Sequence, residues 1–284
     1  MFQIPPRPVV RYYGGKWLLA EWIISHYPEH RTYIEGYGGA GSPLMKKIPA
    51  RVEIYNDVNR EMVNLFRVLR DTEQSKELRR LLDLTPYARD EFYDCYELSD
   101  DPVEQARRTI VLAMQAHNPA KSLDRKSNGY RTSSSGHHVL PRDFSEHARA
   151  LEIITARLKK VIIENRPARK VCEQHDRPDT LHYLDPPYPG VTRSTNAKYY
   201  THELRGMDAH YELFTWSREL KGMVVLSGYE CREYEDWFGG AGWEKRTRTA
   251  RTGAFCGGAK TAKATEVLWL NPLAASKQRQ KRLF

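Results

Sequence analysis

Thr32-Tyr33-Ile34-Glu35-Gly36-Tyr37-Gly38-Gly39-Ala40-Gly41-Ser42 is the stretch that sets the fold. Four residues of β-forming character run straight into a glycine-rich turn, and Ser42 to Lys47 then reads as the opening of a helix. Strand, glycine turn and helix in that order make the first unit of an α/β domain. The glycines fit the spacing Gly-x-Gly-x-x-Gly, which lets the backbone turn tightly and approach a nucleotide-like ligand. The next expected strand, Val52 to Asp57, ends in a carboxylate 21 residues after Gly36. A carboxylate there can accept from both hydroxyls of a ribose. The pattern fits NAD, FAD or S-adenosylmethionine equally.

Outward from this unit, helix and strand alternate at both ends of the chain. Helices are expected over Lys16–His26, Asn59–Arg70 and Met207–Leu220. Further strands are expected at Val161–Glu164, Leu181–Leu184, Met223–Leu226 and Thr265–Leu270. This alternation points to a doubly wound sheet with ligands at the carboxyl ends of its strands. From Asp71 to Glu146 it breaks down into helical stretches and a polar segment, Ser122 to His138, rich in Ser, Gly, Asn and basic residues. That region reads as an insertion between the second and third strands. The expected organisation is a cofactor-binding part at 1–70, an inserted target-recognition region at 71–146, a catalytic part at 147–276 and a basic, disordered tail at 277–284.

The chain has 284 residues, with 40% hydrophobic and 29% charged residues, the composition of a soluble globular protein. No apolar run approaches the ~20 residues of a membrane span, and the N-terminus lacks a charged-then-apolar signal pattern. The four cysteines are scattered with no Cys-x-x-Cys pair, so free thiols in a reducing cytoplasm are the simpler reading. Net charge is +9, and Lys277, Arg279, Lys281 and Arg282 supply four of those charges. A second concentration lies between His117 and Arg142, and a third between Glu244 and Lys263. Such a surface favours a polyanion.

The strand Leu181-His-Tyr-Leu184 ends in Asp185-Pro186-Pro187-Tyr188. A carboxylate, two prolines that fix the backbone and an aromatic ring suit an enzyme that grips a flat exocyclic amine. Asp185 and a nearby backbone carbonyl accept from the amine hydrogens, and Tyr188 stacks on the ring that carries them. At the start of the chain, Tyr12-Tyr13-Gly14-Gly15-Lys16 places an aromatic face and a cation before the first helix. Beside a sulfonium cofactor, the aromatic face suits the cation and Lys16 the methionine carboxylate.

Tyr12 to Lys16, Glu35 to Ser42, Asn56-Asp57 and Asp185 to Tyr188 occur in the order and context of the DNA adenine methylase (Dam-like, D12 class) family. Lys198-Tyr-Tyr-Thr-His-Glu203, Val224 to Tyr229 and Thr265-Glu-Val-Leu-Trp-Leu-Asn-Pro272 also resemble it, and the likeness covers about two thirds of the chain. The resemblance implies a Rossmann-like S-adenosylmethionine-dependent methyltransferase fold with a mainly helical DNA-recognition insertion. It implies methyl transfer from S-adenosylmethionine to N6 of adenine in duplex DNA, with the target base flipped out of the helix. Cofactor roles then fall on Tyr12, Lys16, Glu35, Gly36, Tyr37, Gly38, Gly39, Ala40, Gly41, Ser42 and Asp57, with Asn165 beside the adenine. Asp185, Pro186, Pro187 and Tyr188 act on the target amine, with Tyr199 or Tyr200 a candidate second wall.

The DNA-reading residues are expected in the insertion: Lys121, Arg125, Lys126, Asn128, Tyr130 and Arg131, around a hairpin tip at Gly129. Ser133-Ser-Ser-Gly-His-His138 departs from the segment that closes the recognition hairpin in GATC-reading members, so that specificity is not carried over. No metal and no covalent enzyme intermediate are needed. The resemblance suggests a cytoplasmic protein encoded by a bacterium or phage, with or without a partner restriction nuclease. Three other readings stand beside it. An amino-methyltransferase acting on RNA or protein glutamine more often carries Asn-Pro-Pro-Tyr. A nicotinamide-dependent oxidoreductase leaves Asp-Pro-Pro-Tyr unexplained. A catalytically silent DNA-binding protein has no need of the intact motifs.

Overall fold

The computed structural model describes residues 2–12, 14–119, 123, 129–132, 139–188, 204, 206–251 and 263–281. Its centre is a seven-stranded sheet in the order β3-β2-β1-β4-β5-β7-β6. The strands are β1 Thr32–Glu35, β2 Val52–Asn56, β3 Val161–Glu164, β4 Thr180–Leu184, β5 Met223–Tyr229, β6 Glu244–Arg251 and β7 Lys263–Leu270. The first five run parallel, and β7 is antiparallel to both β5 and β6. Every residue of β4 is buried, as expected of a parallel strand covered on both faces.

Successive side chains of a strand point to opposite faces, and the two cores follow that alternation. Tyr33, Tyr55, Tyr183, Val225, Leu268 and Leu270 pack in one core. That core also takes in α1 Ala20–Ser25, α2 Ser42–Lys46, α3 Arg60–Arg70, α4 Thr72–Leu84, α5 Arg89–Asp94, α6 Pro102–Gln115 and α7 Leu140–Leu158. Ile34, Ile54, Leu184, Val224, Leu226, Val267 and Trp269 face the other core, under α8 Ala168–Gln174 and α9 Gly206–Arg218. The result is three layers with the sheet in the middle.

The helix starts were written locally. Asn59, Asp71 and Asp101 each accept from two backbone amides of the following turn, capping α3, α4 and α6. Helix α3 ends at Arg70 and α4 begins at Thr72. At the other end α7 runs unbroken across position 146, and its Leu151, Ile154 and Leu158 share a core with the sheet. Helices α3 to α7 are therefore packed into the same core as β1 and β2.

Three expectations are corrected, and one strand was missed. The first helix covers Ala20–Ser25 and not Lys16–His26; Leu19 N donates to Lys16 O in a turn, and the Lys16 side chain bends back to Gly14 O. β6 was not foreseen, because its sequence Glu-Lys-Arg-Thr-Arg-Thr-Ala-Arg lacks an apolar face and it lies at the sheet edge. The basic tail is helical through Lys281 in α10 Pro272–Lys281. Lys277 there bonds Pro178 O, and Arg279 pairs with Glu244. Gly129 is not a hairpin tip: His117 N donates to Gly129 O and Arg131 N to Gln115 O, so residues 129–131 form the base of the excursion.

Candidate active site

In a sheet of this order the connections leave in opposite directions from β1 and β4, which opens a crevice at their carboxyl ends. Thr32 to Glu35 pair in register with Thr180 to Tyr183, so the glycine turn and Asp185 leave the sheet side by side. Gly36 N donates to Tyr183 O at 3.1 Å and joins the two exits directly.

The glycine turn is braced from below. Gly38 N donates to Asn56 O, Gly41 N to Gly38 O, and the Tyr55 hydroxyl to Gly39 O at 2.7 Å. A Cβ on Gly38 would lie 2.2 Å from the Tyr55 ring, and Gly39 has φ of +48° with the Tyr12 ring lying over it. Asn56 Nδ2 donates to Gly36 O and Arg166 O, tying the turn to the end of β3. Asp57 Oδ2 accepts from Gly39 N at 2.7 Å and Oδ1 from Asn59 N at 2.8 Å. Asn165 Nδ2 donates to Asp57 O at 2.7 Å. A bare backbone covered by Tyr12, with a half-buried carboxylate at its far end, fits an adenosine-bearing cofactor.

Two of the residues expected at the cofactor have other partners. Glu35 is buried at 1% exposure and its Oε2 accepts from the Tyr33 hydroxyl at 2.8 Å and from Leu44 N at 2.9 Å. Burial pushes its carboxyl up to about 8, against the pull of those two donors. Lys16 Nζ lies 3.1 Å from Asp185 Oδ1, 3.4 Å from Glu266 Oε1 and 4.7 Å from the centre of the Tyr188 ring. Burial raises the Asp185 carboxyl to about 6; Lys16 opposes that rise and Glu266 adds to it. The Tyr188 hydroxyl donates to Glu266, and its ring meets that of Tyr229 edge-on at 4.4 Å.

Glu266, Tyr229 and the buried Tyr183–Ser227 hydrogen bond of 2.9 Å were not foreseen as parts of the site. One signal was available for Glu266: an acid directly before the apolar run Val267-Leu-Trp-Leu270. Of the expected DNA-reading residues, Tyr130 and Arg131 are described. The Tyr130 hydroxyl donates to Tyr87 O, the Arg89 guanidinium lies over its ring, and Tyr87 in turn donates to Arg131 O. Lys121, Arg125, Lys126, Asn128, Tyr199, Tyr200 and the segment 198–203 lie outside the described residues. Cys95, Cys172 and Cys231 carry free thiols. Among the described residues no cluster of His, Cys, Asp and Glu could hold a metal ion, and no helix is long and apolar enough to cross a membrane.

A mostly parallel sheet of this order, a glycine cradle ending in a carboxylate, and an Asp-Pro-Pro-Tyr exit beside it define an S-adenosylmethionine-dependent amino-methyltransferase. The chain belongs to the D12 class of N6-adenine-specific DNA methyltransferases, whose family model matches residues 12–251. DNA is the substrate of this class and S-adenosylmethionine its methyl donor. No curated protein matches the chain.

Proposed function

We propose that the crevice between β1 and β4 is where methyl transfer takes place, on an adenine flipped out of double-stranded DNA. The shared register of Glu35 and Tyr183 carries this reading, since it brings the glycine cradle and Asp185 to one opening. S-adenosylmethionine, when bound, supplies an electrophilic methyl on a sulfonium. Tyr12, the backbone from Gly36 to Ser42, Asp57 and Asn165 hold its nucleoside end. Lys16 and Glu35 stand where the cradle meets the catalytic exit, and Lys16 couples the two.

The N6 amine of adenine is a poor nucleophile because its lone pair is delocalised into the ring. The Asp185 carboxylate and the Pro186 carbonyl accept its two hydrogens and favour a more tetrahedral nitrogen. Asp185 then stabilises the positive charge that develops there. Pro187 stiffens the bend, so both acceptors stay in place while the amine is aligned. Tyr188 offers the stacking surface that replaces the neighbours lost on flipping. The insertion, with its basic excursion between His117 and Gly129, reads the flanking DNA, and Arg131 at its base lies beside phosphate. A cytoplasmic enzyme of bacterial or phage origin fits these roles.

Labelled S-adenosylmethionine and unmethylated plasmid DNA provide the test. Label should enter DNA and be released by nuclease digestion as the deoxynucleotide of N6-methyladenine. Asp185→Ala should abolish transfer and keep cofactor binding; full activity in that variant refutes the mechanism.

A further inference from the structure

We propose that Glu266 is a positioning residue for the methyl-transfer step: it divides Lys16 with Asp185 and holds the Tyr188 ring in the stacking position. The proposal rests on the reading of Asp185 and Tyr188 given above. Glu266 lies on β7, the antiparallel strand beyond the switch point, directly across from Tyr229 on β5. It is 4% exposed, and the four residues that follow it in the strand are buried and apolar. A carboxylate in such a place is retained only with partners that repay its desolvation. Its partners here are both site residues, the Tyr188 hydroxyl and the Lys16 ammonium.

Two consequences follow from the geometry. The Tyr188 ring is fixed at its hydroxyl by Glu266 and at its flank by the Tyr229 edge, so its plane is set before a base arrives. The single ammonium is shared by two acids at 3.1 and 3.4 Å. Asp185 therefore keeps more of its acceptor strength for the amine than it would in an exclusive pair with Lys16. The Lys16–Asp185–Glu266 group sets two acids against one base, which complements the cation forming on the target nitrogen.

The test is a double-mutant cycle of Glu266→Gln and Tyr188→Phe in the full chain. Single-turnover transfer of labelled methyl to unmethylated plasmid DNA is measured from pH 5 to 9, and thermal unfolding is measured in parallel. Glu266→Gln should bind cofactor like the parent and transfer methyl at least about tenfold more slowly, the scale expected of a displaced reacting geometry. The acid limb of its rate profile should move to lower pH, because a neighbouring anion has gone. Tyr188→Phe should cost less in the Gln background than in the parent, in rate and in unfolding midpoint. A parental rate and acid limb in Glu266→Gln, or strict additivity in both measurements, overturns the proposal alone. A parent chain that transfers no label to DNA sinks the catalytic reading itself, and the positioning role with it.

Discussion

Tyr55 fills the space that any side chain on Gly38 would need: a Cβ there would lie 2.2 Å from Tyr55 Cε2. The same ring stacks on Phe66 at 3.9 Å, so it cannot swing away without opening the core behind α3. Gly38→Ala should therefore distort the cradle, lowering S-adenosylmethionine affinity by at least about tenfold at a stability cost of about 1–3 kcal/mol, the range for overpacking. Isothermal titration with urea unfolding would measure both. Tyr55→Phe removes only the bond to Gly39 O and should cost about 1 kcal/mol.

The Asp185 carboxyl is raised to about 6, first by burial and then by Glu266, with Lys16 opposing. The acceptor role proposed for it needs the ionised form. The kcat/KM for DNA should fall as pH drops through about 6, with protonation of this one group. Asp185→Asn should lose about 10²-fold or more in rate at pH 8. Rates flat between pH 5 and 8 would contradict the assignment.

Glu35 carries a stability prediction of definite sign. Its carboxyl rises from an ordinary 4.5 to about 8 because burial penalises the charge. A carboxyl raised in the folded chain adds stability that is complete below about 4.5, declines as pH climbs and is gone above about 8. In Glu35→Gln the amide oxygen can still accept from Tyr33 and Leu44, but nothing there ionises. Urea midpoints should fall between pH 5 and 8 in the parent more steeply than in the variant.

Arg157, near the end of α7, reaches α2 just beyond the glycine turn. Its Nη1 pairs with Glu53 Oε2 at 2.5 Å and its Nη2 donates to Leu44 O at 2.7 Å, both buried; Lys47 holds the other Glu53 oxygen at 2.7 Å. Removing one member of a buried pair leaves a charge without its counterpart, so Arg157→Leu should cost about 3–5 kcal/mol in chemical denaturation. Replacing Arg157, Glu53 and Lys47 together with apolar residues should restore much of that loss.

Arg131 stands at the base of the basic excursion. If it lies on phosphate, Arg131→Ala should weaken binding to all DNA sequences alike. The slope of log K against log salt should shrink by about 1, measurable by fluorescence anisotropy at several salt concentrations.

The elements most legible in the sequence were those whose pattern is local. Thr32–Glu35 and Val161–Glu164 were read to the residue, and the helix expected over Asn59–Arg70 is found at Arg60–Arg70. Strand β6 was hidden because Arg, Lys and Thr at a sheet edge carry no burial signal. The start of α1 was misplaced because Lys16 is drawn to a carboxylate 169 residues away, which no local propensity can express. The basic end of the chain was read as disordered from its charge, yet Asn271 anchors α10. The Asn271 side chain accepts from Val224 N and donates to Gly222 O.

By itself the sequence determined which groups are available: glycines that let backbone turn tightly, a carboxylate at Asp57, and Asp185 followed by two prolines and a tyrosine, to which the proposed roles are assigned. Those assignments depend on residue type and short spacing, which are properties of the chain before it folds. Only the tertiary structure decided how the groups combine, because strand order places distant segments side by side. The antiparallel return of β7 delivers Glu266 to Tyr188, and the N-terminal turn delivers Lys16 to Asp185. The electrostatics of the pocket are a product of those two meetings.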